Sequence, residues 1–524
     1  MTKRVEIYDS TLRDGAQAVG ISFSAGDKLK IAKALAGFGV DYVEGGNPFA
    51  SKADAEFFRA ARSLELGRTR LAAFGATRRR GVSAGEDPSV RALLDADTPV
   101  CAVFGKAWDF HAVAVLGAGL DENLTMIADT VAFLKSRGKT VVFDAEHFFD
   151  GYKDNPEYAL RTVRSAAGAG ADVVCLCDTN GGAFPDETAE MTAAAVRALP
   201  GAVVGIHAHN DGGMAVANSV MAVEAGARQV QGTFTGFGER CGNASLSQVI
   251  ANLQLKRGCR LVPDASLPLL TQTARFVAEV ANVALSGREP FVGRHAFSHK
   301  AGMHIDGVRK NPRSFEHVPP EAVGNERRLL TSESSGRSAV LPRVLRVCPS
   351  ATRESPETEA VLRRLKELTG DGYQFEGAEA TFELVARKTL GLYRPFFEVR
   401  NFKVITEQLP DGRGASVATI KIAVDGREEI TADEGEGPVN ALDKALRKAL
   451  GVFYPSLGGM RLTDYKVRVL DGSDATAAKV RVLIESADGA DSWTTVGVSK
   501  DIIEASLIAL VDSVEYKLMK ETGG

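Results

Sequence analysis

The strongest constraint on this chain is a repeat. Through its first half, a short apolar run, a polar or glycine-rich turn and an amphipathic segment follow one another eight times. The apolar runs begin with Val5-Glu-Ile-Tyr-Asp9, Asp41-Tyr-Val-Glu-Gly45, Arg70-Leu-Ala-Ala-Phe-Gly75 and Val100-Cys-Ala-Val-Phe-Gly105. They continue with Thr140-Val-Val-Phe-Asp144, Asp172-Val-Val-Cys-Leu-Cys177, Val203-Val-Gly-Ile-His207 and Gln229-Val-Gln-Gly-Thr233. Between them, segments such as Asp27–Leu35 and Leu124–Leu134 space their apolar residues as helices do. Strands alternating with helices predict a parallel sheet with right-handed crossovers, and eight units is the count that closes a barrel. The expected fold class is therefore α/β, a TIM (β/α)8 barrel. An open doubly wound sheet is disfavoured because no Gly-x-Gly-x-x-Gly turn follows the first strand.

A barrel of this kind collects its chemistry at the carboxyl ends of its strands. Arg13-Asp14 follow the first run, Glu44 ends the second, and Glu146-His147 end the fifth. Asp178-Thr-Asn-Gly181 ends the sixth, His207-Ala-His209-Asn-Asp211 the seventh, and Gly236-Phe-Gly-Glu-Arg-Cys-Gly-Asn243 the eighth. On a strand His207 and His209 point the same way, and Asp14 adds a hard oxygen donor. Two imidazoles and a carboxylate with open positions make a catalytic rather than a structural metal site. Asn243 is either a fourth ligand or a residue that orients one. Arg13 is placed to polarise a substrate carbonyl, Glu146 to act as a base or position water, and Thr179 to meet a carboxylate. Cys175 and Cys177 lie within a strand and read as packing residues, unsuited to a mutual disulfide. The run Arg78-Arg79-Arg80 reads as a solvated loop in preference to a phosphate contact.

At 524 residues the chain has room for roughly two to four domains. A net charge of −4 gives no electrostatic case for nucleic acid or a membrane surface. With no apolar leader, no membrane-spanning stretch and scattered cysteines, the expected location is the cytoplasm. The expected domains are a barrel over 1–265, helical subdomains over 266–385 and a duplicated α+β domain over 386–524. In the last, Ala418–Ile422 matches Ala478–Val482, Gly437 matches Gly497, and Ala441–Ala445 with Ala449-Leu450 match Asp501–Ala505 with Ala509-Leu510. Each half reads as strand, strand, glycine turn and helix, suggesting a pseudo-twofold module for ligand binding or dimerisation.

Ser10-Thr-Leu-Arg-Asp-Gly15, His207-Ala-His-Asn-Asp211 and Gly236–Asn243 together resemble the metal-dependent acyltransferases and lyases of the isopropylmalate synthase and hydroxymethylglutaryl-CoA lyase superfamily. Five further segments look like its long-form citramalate synthases: Glu44-Gly-Gly-Asn-Pro48, Phe74-Gly-Ala-Thr-Arg-Arg79, Phe104-Gly-Lys-Ala-Trp-Asp109, Asp144–Tyr152 and Ser298-His-Lys-Ala-Gly-Met-His304. The resemblance covers nearly the whole chain and implies condensation of acetyl-CoA with pyruvate to (R)-citramalate and CoA, a step towards isoleucine. It implies a divalent metal (Mg, Mn or Zn) on Asp14, His207, His209 and Asn243. Arg13, Thr179 and Gln17 are the implied substrate contacts, with Arg13, Glu146 and His304 as catalytic groups. Glu146 and His304 both remain open as the base. The duplicated tail implies a homodimer and inhibition by isoleucine. The same chemistry on another 2-oxo acid, as in 2-isopropylmalate or homocitrate synthase, is the nearest alternative. A carbon–carbon lyase and a non-catalytic amino-acid sensor are further ones. One departure stands out in Asn311-Pro-Arg-Ser-Phe-Glu316, where Phe315 replaces the family's common tyrosine.

Overall fold

The computed structural model describes residues 3–283, 285–330, 337–375, 377–408, 414–470, 478–488 and 491–522. All eight expected strands are present: β1 (Glu6–Asp9), β2 (Tyr42–Glu44), β3 (Arg70–Ala76), β4 (Val100–Lys106), β5 (Thr140–Glu146), β6 (Val173–Asp178), β7 (Val203–Ala208) and β8 (Gln229–Gly232). Every neighbouring pair is parallel, and β1 pairs with both β2 and β8, so the sheet closes into a barrel.

The strand period of two sorts the side chains into two sets. Ile7, Val43, Val103, Phe143, Leu176, Ile206 and Val230 pack outward against helix residues such as Ile31, Leu35, Ile127 and Val163. Tyr8, Tyr42, Ala72, Ala102, Val142 and Val173 form a separate apolar layer inside the barrel. Two residues further along the same inward face come Glu44, Phe74, Phe104, Asp144 and Cys175. The apolar interior thus gives way to a polar layer towards the carboxyl ends of the strands.

The chain divides into two compact units, 1–298 with 316–328, and 299–315 with 329–524. In the second unit, the helices Arg337–Val347, Pro356–Gly370 and Glu379–Thr389 share a core of Val344, Val361, Phe375, Phe382 and Ala386. The tail of that unit holds two antiparallel three-stranded sheets. The first is β9 (Glu398–Gln408), β10 (Gly414–Val424) and β11 (Arg427–Gly435), followed by the helix Pro438–Gly451. The second is β12 (Arg461–Val469), β13 (Val480–Ala487) and β14 (Ser492–Ser499), followed by the helix Ile502–Glu521.

The duplication is real, but it differs from its sequence reading in two respects. Each half has three strands before its helix, not two. Its register is also displaced. Ile420 pairs with Thr431, whose hydroxyl donates to the Ala445 carbonyl at 2.8 Å. Ile484 pairs with Thr495, whose hydroxyl donates to the Ala509 carbonyl at 2.7 Å. Ala445 therefore corresponds to Ala509, four residues beyond the Ala505 that sequence matching selects. Likewise Gly437 caps a helix, whereas Gly497 lies within β14. A slip of four preserves the strand period of two and turns a helix face by only about 40°, so the apolar pattern matches almost equally well in both registers.

Among the described residues no helix is long and apolar enough to cross a membrane. The corrected register predicts that Thr431→Val and Thr495→Val have equivalent effects. Each removes one strand-to-helix hydrogen bond and should lower the stability of the tail by about 1 kcal/mol in denaturant unfolding. A loss confined to one of the two would show that the bonds are not equivalent.

Candidate active site

Asp14 enters the barrel mouth on the turn after β1, while His207 lies in the last two residues of β7 and His209 just beyond it. His207 Nε2 is 3.5 Å and His209 Nε2 3.9 Å from Asp14 Oδ2, and the two imidazole nitrogens are 3.4 Å apart. All three residues are buried, and each offers a donor atom within 4.8 Å of the others. Burial followed by the neighbouring His207 pushes His209 down to about 4, so its imidazole is neutral at ordinary pH. Burial also pushes His207 down, but its hydrogen bond to Asp14 and that residue's charge outweigh this and leave it raised. For Asp14, burial is overcome by Arg13 and the two imidazoles, which hold the carboxyl well below the usual carboxylate range.

Arg13 is clamped from two sides. Its Nε donates to Glu44 Oε2 at 2.7 Å and its Nη1 to Asp14 Oδ2 at 2.9 Å. Its guanidinium also lies 3.9 Å from the centroid of the Phe74 ring. Glu44 has no exposure to solvent and accepts two further hydrogen bonds, from the Tyr8 hydroxyl at 2.7 Å and Ser10 Oγ at 2.5 Å. Arg13 Nη2 has no such bond among the described residues, so that edge is left for a ligand.

The same cavity, about 250 Å³ in volume, is lined by Arg13, Asp14, Gln17, Glu146, Thr179, His207 and His209, with Phe74 and Phe104 as an aromatic wall. The Thr179 hydroxyl accepts from the His147 amide at 2.9 Å, and its carbonyl accepts from Arg240 Nη2 at 2.7 Å. Arg240 also donates through Nε to Asp211 at 2.7 Å, so it braces the loops that follow β6 and β7. Glu146 forms an ion pair with Lys106. Asn243 donates from Nδ2 to Asp14 Oδ1 at 2.9 Å and to the Phe237 carbonyl at 3.0 Å. Its Oδ1 is buried without a partner among the described residues. Gly242 allows this loop its path, since at φ +88° a Cβ would sit 2.1 Å from the Gly236 carbonyl oxygen.

His304 belongs to the second unit, on the helix Gly302–Lys310, where it stacks on Phe315 with ring centroids 4.2 Å apart. The arginine run is occupied, as Arg78 pairs with Asp129 at 2.7 Å, Arg79 with Asp87 at 3.2 Å and Arg80 with Glu122 at 3.1 Å. Cys175 and Cys177 cluster with Asp144 inside the barrel as free thiols. Burial pushes Cys175 well up; for Cys177 the hydrogen bond to Cys175 pulls down most, but burial together with the Asp144 and Glu146 charges leaves it raised.

Sequence reasoning overlooked the roles of Glu44, Lys106, Asp144 and Gln231. Gln231 Oε1 lies 3.2 Å from His207 Nδ1, and Gln231 Nε2 donates to Asp144 Oδ1 at 2.9 Å. Burial, then the nearby Glu44 charge, raises Asp144 to about 7. The available signal was two glutamines, Gln229 and Gln231, on the inward face of a fully buried strand.

Residues 4–277 match the HMGL-like family, 291–372 the homocitrate synthase post-HMGL domain-like family, and 376–518 the LeuA allosteric (dimerisation) domain. The chain is 50% identical to an (R)-citramalate synthase of Aquifex aeolicus over 522 residues, covering 99% of each chain. It is 48% identical to that of Geobacter sulfurreducens, covering 98% of each. A probable 2-isopropylmalate synthase of Methanopyrus kandleri is 34% identical, again over 98% of each. The chain therefore belongs to the HMGL-like family and, within it, to the (R)-citramalate synthase family.

Proposed function

We propose that this chain is an acyltransferase that condenses acetyl-CoA with pyruvate and water to give (R)-citramalate and CoA. The observation that carries this choice of 2-oxo acid is the gap in full-length identity, 50% and 48% against 34%. The mouth of the barrel supports the chemistry. Asp14, His207 and His209 are the residues that would hold a divalent cation such as Mg, Mn or Zn. They fit one: two imidazoles and a carboxylate converge at a buried mouth where Asp14, Glu44 and Asp144 bring three carboxylates together. When bound, such a cation supplies Lewis acidity towards the oxygens of the 2-oxo acid.

The chain's own residues do the rest. Arg13, immobilised by Glu44 and Asp14, offers Nη2 to the ketone oxygen as negative charge develops on it. Because its two partners already fix its orientation, little reorganisation is needed during the reaction. Thr179 and Gln17, which line the same cavity, contact the substrate. A proton leaves the acetyl methyl group, whose carbon forms the new bond to the ketone carbon, and water then cleaves the thioester. Glu146 is the base the barrel offers, and His304 the one offered by the second unit. Exchange of deuterium from the acetyl methyl group in E146Q and H304A distinguishes them.

In this reading 1–265 catalyses, 266–385 completes the active site, and 386–524 mediates homodimerisation and binds isoleucine as an inhibitor. The coupling would be a shift between conformational populations.

With Mn²⁺ and acetyl-CoA supplied, thiol release should be faster with pyruvate than with 2-oxoisovalerate or 2-oxoglutarate. Faster release with 2-oxoisovalerate would overturn the substrate assignment. His209→Ala should abolish turnover at ordinary metal concentrations; retained turnover removes it from the site. Glu44→Leu deprives the largely enclosed Arg13 of a carboxylate and should cost about 3 kcal/mol of stability, read by thermal unfolding, together with turnover.

A further inference from the structure

Gln231 has no exposure to solvent and lies on the inward face of β8. Its carboxamide bridges Asp144 on β5 and His207 on β7. The amide nitrogen donates to Asp144 Oδ1 at 2.9 Å. That leaves Oε1 facing His207 Nδ1 at 3.2 Å. A carbonyl oxygen cannot donate, so the hydrogen of this contact resides on Nδ1. Once Nε2 gives up its own proton, its lone pair is free for a cation. It is this Nε2 that faces Asp14 Oδ2 at 3.5 Å and His209 Nε2 at 3.4 Å.

We propose that Gln231 and Asp144 are positioning residues that hold His207 in its Nδ1–H tautomer and so present Nε2 to a divalent cation. The inference rests on the reading of Asp14, His207 and His209 as metal ligands. The two imidazoles are unequal in this respect. His209 Nδ1 is buried with no hydrogen-bond partner among the described residues, so the relay fixes the tautomer of His207 alone. A bracing role between strands is the competing explanation for the amide, since a buried carboxamide must find partners whatever its purpose. The two roles separate in a variant that exchanges donor and acceptor. In D144N/Q231E the side chain at 144 can donate to an oxygen at 231, and the second oxygen at 231 still accepts from His207 Nδ1.

The test titrates the full-length chain with Mn²⁺ in the absence of substrate, by calorimetry and by the electron paramagnetic resonance of free Mn²⁺. Gln231→Met nearly preserves volume and removes both hydrogen bonds; it should weaken Mn²⁺ binding about 10- to 100-fold. The double variant D144N/Q231E should restore affinity close to that of the unmodified chain. Unchanged affinity in a folded Q231M, or no recovery in the double variant, overturns the relay. An unmodified chain that takes up no Mn²⁺ overturns the metal reading, and the relay falls with it. A second measurement needs no variant: long-range ¹H–¹⁵N correlation of the histidine-labelled chain loaded with Zn²⁺, at mildly alkaline pH. It should show His207 protonated at Nδ1, and a proton on Nε2 would overturn the proposal.

Discussion

The site depends on one buried charge. Arg13 brings a guanidinium into the barrel mouth, where an unpaired cation would cost several kcal/mol. Glu44 and Asp14 offset that cost by binding two different edges of the same fork. The pairing serves geometry as much as energy. Glu44 is itself fixed by Tyr8 and Ser10, so β1 and β2 are tied through side chains as well as through their backbone ladder. Asp14 then has one oxygen held by Arg13 and the other by Asn243, which leaves it little freedom to turn away from the imidazoles. Both the donor triad and the free edge of Arg13 follow from this clamp.

Much of this was legible in the sequence because strand periodicity is local. Eight apolar runs announced the barrel, and a His-x-His pair on one of them announced a shared face. The convergence of Arg13, Asp14, Thr179, His207 and Asn243 followed from topology alone, since strand ends of a closed barrel meet. What could not be read were partners set by distance across the barrel. Glu44 was visible as a strand-end acid, but its tie to Arg13 depends on a side-chain path of a few ångströms. Gln231 had no motif at all. Its role emerges only when β5, β7 and β8 are seen around one interior.

The tail shows a different limit. Its duplication was detectable because two halves carry the same alternation of small and branched residues. Detecting a repeat and setting its register are separate problems. Ala441, Ala445 and Ala449 recur at every fourth position of one helix, as Ala505 and Ala509 do in the other, so a helix can slide by one turn without losing its match. The hydrogen bonds of Thr431 and Thr495 break that degeneracy. Polar groups with a single satisfied geometry carry register information that apolar periodicity lacks.

The same distinction explains the two layers inside the barrel. Ala72, Ala102 and Val142 in its lower interior need only complementary volume, while Tyr8 and Tyr42 beside them also place hydroxyls on Glu44 and Glu6. Above them, Glu44, Asp144, His207 and Gln231 must each find specific partners, and a substitution there leaves a neighbour unsatisfied. The polar layer is also short of positive charge. Arg13 compensates Glu44 and Asp14 in part, and Asp144 is left to burial and a neutral amide. Such a layer is stable on its own only where a proton or a cation makes up the difference. A closed barrel can sustain it because its outward faces, packed against the surrounding helices, provide a continuous apolar shell that does not depend on the site.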